Sequence, residues 1–258
     1  MRWANLLMID FSSCIQETIQ NGISQKAQKP IEMSRVLAFS CTHCPAIHPR
    51  FIDFLLSVKE KYRCNRVVHL GDLVDWHAIS FHEKDPSMPS VHDEYRAAKK
   101  QVEKLHKAFP KADYLIGNHS DLPNRKAITV GLMEEQLVPF GQFWGLKGWA
   151  IHPRFSKLFI DGVQYRHGDS GKGGSVNAAY NNSLAEFCSV VQGDKHSQGG
   201  VVYHTNENHC VFGMQVGCGV KPNHRAMNYG KKYASRPILG CGVVIDGKEA
   251  YFERMNLR

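Results

Sequence analysis

Three times in the first half of the chain a short apolar run empties into a polar turn stocked with metal-binding residue types. Val36-Leu37-Ala38-Phe39 leads into Ser40-Cys41-Thr42-His43-Cys44-Pro45. Val67-Val68-His69-Leu70 leads into Gly71-Asp72-Leu73-Val74-Asp75, and Tyr114-Leu115-Ile116 into Gly117-Asn118-His119-Ser120. Runs this short, bounded by Gly, Ser and Pro, predict buried strands rather than helices. The segments between them carry helical signals. Pro49 opens one that turns Phe51, Phe54, Leu55 and Val58 inward. Ser90 with Asp93 three residues on predicts the start of another, in which Tyr95, Ala98, Val102, Leu105 and Phe109 recur until Pro110.

Beyond residue 140 the pattern changes to shorter strands with glycine turns. Residues 156–160, Asp161-Gly162 and residues 163–166 predict a hairpin, and residues 175–187 a helix. Strands are expected at 189–192, 200–204, 209–216 and 239–245, with Asp246-Gly247 turning into 249–253. The expected fold is α/β, two β-containing layers with helices outside, as one domain over residues 33–258. Residues 1–32 show no strand pattern and end in the polar stretch Ser24 to Pro30, so they read as an arm or linker.

No apolar run approaches the roughly 20 residues of a membrane helix, and Asp10 interrupts the first greasy stretch too early for a secretory signal. Eight cysteines without an export signal read as free thiols or ligands, and the expectation is a cytoplasmic protein that engages no membrane. With 32 Lys+Arg against 24 Asp+Glu, the formal charge of +8 favours polyanionic partners such as nucleic acid. The oligomeric state is not legible.

Ligands of open α/β sheets gather beyond the carboxyl ends of strands. Here those ends present Cys41, His43, Asp72, Asp75, Asn118 and His119, and two later strands end in His167-Gly168-Asp169 and Gly193-Asp194-Lys195-His196. Taken singly, each is an ordinary turn. Five independent turns have no structural reason to be stocked alike with N, O and S donors, so jointly they predict a metal site. His204 offers a rival register for Asp194, and Cys41 with Cys44 a rival zinc or redox pair, although no second Cys-x-x-Cys completes it. Lys172, within Gly171-Lys172-Gly173-Gly174, marks a flexible loop able to approach a phosphate. Lys100, Lys104 and Lys107 form a basic helix face that reads first as solvated.

The blocks Gly71-Asp72-x-x-Asp75, Gly117-Asn118-His119, the lone His167 and the final Gly193 to His196 resemble the calcineurin-like metallophosphoesterases in order and spacing, over about residues 35–200. The stretches 71–86, 159–172 and 206–244 also look like small phosphoesterases of bacteriophages and prophages, for which the compartment would be the host cytoplasm. The resemblance implies a two-sheet β-sandwich flanked by helices in four αββα layers. It implies a binuclear hydrolase of phosphoesters working through a metal-bridging hydroxide, with nucleic acid or nucleotide the first substrate class to test. Carried over by position, Asp72 bridges two divalent transition metals, with Cys41, His43 and His196 completing one site and Asn118, His167 and Asp194 the other. His119 acts on the leaving oxygen and Asp75 holds it. This sequence departs from the family pattern at Cys41, where Asp is usual, and at Asp194, where His is usual; lariat-debranching enzymes look similar in having Cys at the former. A thiolate favours Zn or Fe, with Mn also accommodated, over Mg. The extra anionic ligand lowers the net charge of the centre, which predicts a slower enzyme with a more alkaline optimum. The competing expectation is a metal-impaired relative that binds polyanions without turning them over.

Overall fold

In the computed structural model, residues 34–81, 87–224 and 234–257 are described. The apolar runs form the strands they predict. β1 (Arg35–Phe39), β2 (Arg66–His69), β3 (Ala112–Leu115) and β4 (Trp149–His152) lie parallel in that order, and β10 (Gly240–Ile245) and β11 (Glu249–Arg254) extend the sheet antiparallel beyond β1. The second sheet has the order β5 (Leu158–Ile160), β6 (Val163–Arg166), β7 (Val190–Gln192), β9 (Cys210–Val216), β8 (Gly199–Thr205), with β6, β7 and β9 parallel.

The period-two alternation of a strand divides the core in two. In β1, Val36 and Ala38 join Val68, Leu70, Leu115, Tyr165, Val191, Phe212 and Met214 between the sheets. Leu37 and Phe39 face the other way, onto Phe51, Leu55 and Val58 of α1 (Phe51–Lys61) and Ala98, Val102 and Leu105 of α2 (Val91–Ala108). Each fully buried side chain of this size contributes about 1.5–3 kcal/mol. Ser90 caps α2 by accepting the Asp93 backbone N–H at 3.2 Å. On the far side α5 (Ala178–Glu186) lies against β9 so closely that a Cβ on Gly213 would overlap the Tyr180 backbone. Two sheets flanked by helices on both sides are therefore present, as expected.

Three elements were not foreseen. α3 (Leu122–Thr129) carries Pro123 in its first turn and buries only Leu122 and Ala127, too little for a periodic signal. α4 (Phe140–Trp144) is five residues long and is held by ring packing: Phe140 stacks on Tyr114 at 5.2 Å, and Trp144 lies 5.5 Å from Trp76. β4 gains its place by pairing with β3 rather than by composition. The arm expected over residues 1–32 lies outside the described residues. Among those described, no helix is long and apolar enough to cross a membrane.

Candidate metal centre

The parallel strands β1, β2 and β3 of one sheet and β6 and β7 of the other deliver their carboxyl ends to one place. The loops after β1 and β2 remain zipped together: Cys41 N–H donates to Gly71 O (2.9 Å), His43 N–H to Asp72 O (2.9 Å) and Cys44 N–H to Leu73 O (2.8 Å). Within these paired loops Cys41, His43 and Asp72 take positive φ, at 52°, 44° and 53°, and Asp194, in the loop after β7, does so at 63°. Gly117 makes a close approach that only glycine permits, since a Cβ there would overlap Asp72 Oδ1 and crowd His167 Cε1.

Cys41, His43, Asp72, Asp75, Asn118, His119, His167, Asp194 and His196 arrive at this point. Cys41 Sγ and one ring nitrogen each from His43 and His196 lie within 4.8 Å of one another, as do ligand atoms of Cys41, Asp72 and His167, and of His43, Asp75 and His119. His167 Nε2 is 3.0 Å from Asn118 Oδ1, 3.2 Å from Asp72 Oδ2 and 3.8 Å from Asp194 Oδ1. His43 Nε2 is 3.1 Å from His196 Nε2 and 3.8 Å from Asp72 Oδ2. Asp72 thus lies between two donor groups. Cys41, expected in one site with Asp72, His43 and His196, also has a His167 nitrogen within 4.8 Å.

The hydrogen bonds fix the tautomers. His167 Nδ1 donates to the Leu70 carbonyl at 2.7 Å, so its Nε2 is a lone pair in the neutral ring, aimed at oxygens that are themselves acceptors. His43 Nδ1 donates to the Asp75 carboxylate at 2.8 Å, which turns its Nε2 lone pair toward His196. Asp72 Oδ1 accepts the His119 and Ser120 backbone N–H groups, but its Oδ2 and the His167 Nε2 lone pair face each other at 3.2 Å in a buried place, where a proton or a metal supplies the missing positive charge; the His43–His196 contact is met by an Nε2–H of His196 or by a cation between the rings. The donor set of thiol, imidazoles and carboxylates fits divalent transition metals of the zinc or iron kind.

The electrostatics follow from the same contacts. Burial pushes the Asp72 carboxyl up, but His167, His119 and His43 hold it well below the ordinary range. Burial presses His167 down, yet the Asp72 charge and hydrogen bond lift it to about 9. His119 is likewise pressed by burial and lifted to about 9, chiefly by its bond to Asp75. His196 is pushed down to about 3 by burial and by the neighbouring His43 and His119. Burial, with Asp72 next, raises the Cys41 thiol well above its usual range. Asp194 is raised as well, mainly by burial.

No family model matches this chain, and no curated protein matches it. Solved structures do. A phosphoesterase from E. coli, YfcE, is similar at 14% identity over 81% of this chain and 87% of its own, with a TM-score of 0.40. A metallophosphoesterase from Sphaerobacter thermophilus is similar at 14% identity, covering 88% of this chain and 89% of its own, TM-score 0.43. Vacuolar protein sorting 29 from Cryptosporidium parvum is similar at 12% identity over 87% and 98%, TM-score 0.39. Likenesses this distant decide nothing about chemistry, which rests on the side chains.

The rival placements separate from the centre. His204 is exposed on β8, with the Tyr180 hydroxyl 3.4 Å from its Nδ1. Cys44 packs in the core between sheet and helices, its thiol pushed by burial to about 12. Lys172 is exposed and anchored through its backbone N–H to Asn182. Lys100, Lys104 and Lys107 are exposed on α2. His69 is held by its neighbours: Gly71 N–H donates to its Nδ1 and Thr42 Oγ1 lies 3.2 Å from its Nε2.

The sequence reading missed two things. Asp75 serves two imidazoles, since its Oδ1 lies 2.8 Å from His43 Nδ1 as well as 3.2 Å from His119 Nδ1. A cleft of about 290 Å³ beside Asn118 and Asp194 is also lined by Arg125, Arg154 and Lys195. Arg154 follows the unforeseen β4, and placing a strand there would have presented Arg154 at a sixth strand end.

Proposed function

We propose that this chain is a divalent-metal-dependent phosphoester hydrolase. The cations would be held by Cys41, His43, His196 and Asp72 on one side and by Asp72, Asn118, His167 and Asp194 on the other. The observation that carries this reading is the meeting of buried Cys41 and His43 with half-buried His196, a thiol and two ring nitrogens within 4.8 Å of one another, an arrangement of electron-pair donors that favours a cation. Bound there, divalent metals supply Lewis-acid charge to phosphoryl oxygens and activate water for attack on phosphorus. The chain's own part is orientation and proton supply. Asp75 fixes the His43 ring through Nδ1, so that Nε2 is presented to the centre. Both the side chain and the backbone carbonyl of Asp75 engage His119 Nδ1 at 3.2 Å, leaving Nε2 as the nitrogen free to protonate a leaving oxygen. The His119 side chain is 16% exposed and that of Asp194 28%, which opens the centre to substrate between otherwise buried groups.

The test is hydrolysis of a generic diester and a generic monoester by protein loaded with Zn²⁺, Mn²⁺ or Fe²⁺, with metal analysis and an Asp72→Asn variant alongside. Turnover in wild type that disappears with Asp72→Asn is expected. Equal turnover in Asp72→Asn protein would place the activity elsewhere, and stoichiometrically loaded wild type that hydrolyses neither ester would leave a metal-binding, catalytically silent protein.

A further inference from the structure

The cleft beside Asn118 and Asp194 carries more cation than a single phosphoryl group requires. Arg154 is committed, pairing with Asp169 at 2.8 Å and Asp121 at 3.5 Å. Arg125 donates to the Asn118 carbonyl (3.2 Å) and Lys195 to the Gly174 carbonyl (3.4 Å), and neither has a carboxylate partner among the described residues. Each of the two cleft-lining arginines also has a phenylalanine against it. The Arg125 guanidinium lies 5.0 Å and Lys126 Nζ 3.7 Å from the Phe81 ring centroid, and the Arg154 guanidinium 4.4 Å from that of Phe155.

Neither ring is explained by packing. Phe81 remains 51% exposed and Phe155 58% exposed with these cations in contact. Phe155 also sits at φ 68°, in the left-handed region that a bulky side chain rarely adopts, within a turn closed by Ser156 N–H to Pro153 O (3.1 Å). Glycine or asparagine would fit that turn with less strain. The cleft also carries Asp169, held by Arg154, and Asp194, and each ring reaches it through the arginine against it rather than by lining it; a wet aromatic ring held beside a cleft cation is the arrangement that takes an unstacked base while its phosphate meets the cation.

We propose that the cleft binds single-stranded nucleic acid, with backbone phosphates against Arg125 and Lys195 and bases stacked on Phe81 and Phe155. The proposal rests on the hydrolase reading for what happens at the centre, but not for binding. Single strands are specified because a base inside a duplex has no free face for either ring.

Fluorescence anisotropy tests this without turnover, using a labelled 20-nucleotide thymidine strand, a uridine strand of equal length and an abasic strand of equal length. Wild type is expected to bind the thymidine strand at least about tenfold more tightly than the abasic one, and Phe81→Ala or Phe155→Ala to weaken it by about fivefold or more. Phe81→Trp and Phe155→Trp should retain binding. Phe187→Ala, which removes a 91% exposed ring that none of these cleft cations touches, should have no effect. The uridine strand, which differs in both the ribose hydroxyl and the thymine methyl, is also expected to bind more tightly than the abasic strand. Equal affinity for base-bearing and abasic strands, or alanine variants that keep the difference, overturns the proposal. A protein that hydrolyses generic diesters yet shows no base preference would sink this inference and leave the hydrolase reading standing. A silent protein with base preference would do the reverse.

Discussion

Asp75→Asn separates two tasks that the structure gives to one carboxylate. Asp75 is 2% exposed, and its Oδ1 meets His43 Nδ1 at 2.8 Å and His119 Nδ1 at 3.2 Å. Asparagine keeps the size and one acceptor but loses the charge. A hydrogen bond to a charged group contributes about 1.5–3 kcal/mol and a neutral one about 0.5–1.5 kcal/mol, so each bond loses about 1–1.5 kcal/mol. That is roughly tenfold in an equilibrium constant. Through His43, metal affinity should fall about tenfold, within the range for changes to a partner of a ligating histidine. Through His119, kcat at saturating metal should fall about tenfold further, less if the longer contact is the weaker one. Competition with a chromophoric chelator measures the first effect, and kcat under excess metal the second. In a His119→Ala background, Asp75→Asn should still shift metal affinity while leaving kcat where it was. Metal affinity unchanged within about twofold, with kcat reduced, would refute the His43 contact and return Asp75 to the single role expected from sequence.

Two further outcomes follow from the centre. Cys41→Ser should abolish the thiolate-to-metal charge-transfer absorption of Co²⁺-loaded protein and weaken Zn²⁺ binding more than Mn²⁺ binding; an unchanged spectrum would remove Cys41 from the ligand set. The second is a pH dependence. Because the folded value of His167, about 9, lies above its ordinary 6.5, the stabilisation from its proton is complete below about 6.5 and lost as pH rises through about 9. A metal must displace that proton. Metal-free protein should therefore melt at lower temperature as pH goes from 6.5 to 9, while the increase in Tm on adding metal should widen over the same interval. A metal-induced shift that does not vary with pH would exclude His167 from binding.

How much of this was legible in the sequence depended on whether an element carries its own pattern. β1, β2 and β3 announce themselves by apolar runs, α2 by its cap and periodicity, and their polar ends brought the candidate site residues forward together. α3, α4 and β4 have no such pattern. α4 is held by Phe140 and Trp144, which find ring partners in Tyr114 and Trp76, β4 by its pairing with β3 and by Trp149 against Tyr114, and α3 by the burial of Leu122 and Ala127 alone. The cost of missing β4 was Arg154. The link from Asp75 to His43 was invisible for another reason: the two are 32 residues apart and meet only because the loops after β1 and β2 stay paired beyond their strands.

The loops after β1, β2 and β7 have a thermodynamic side. Cys41, His43, Asp72 and Asp194 sit in a backbone region that glycine occupies freely, and each non-glycine residue there costs on the order of 1 kcal/mol, somewhat less for the two aspartates. A net folding free energy is only about 5–15 kcal/mol. If the four residues hold cations as proposed, replacing them with Gly or Asn should raise thermal stability while lowering metal affinity, the ordinary exchange between a strained site and the stability of its fold.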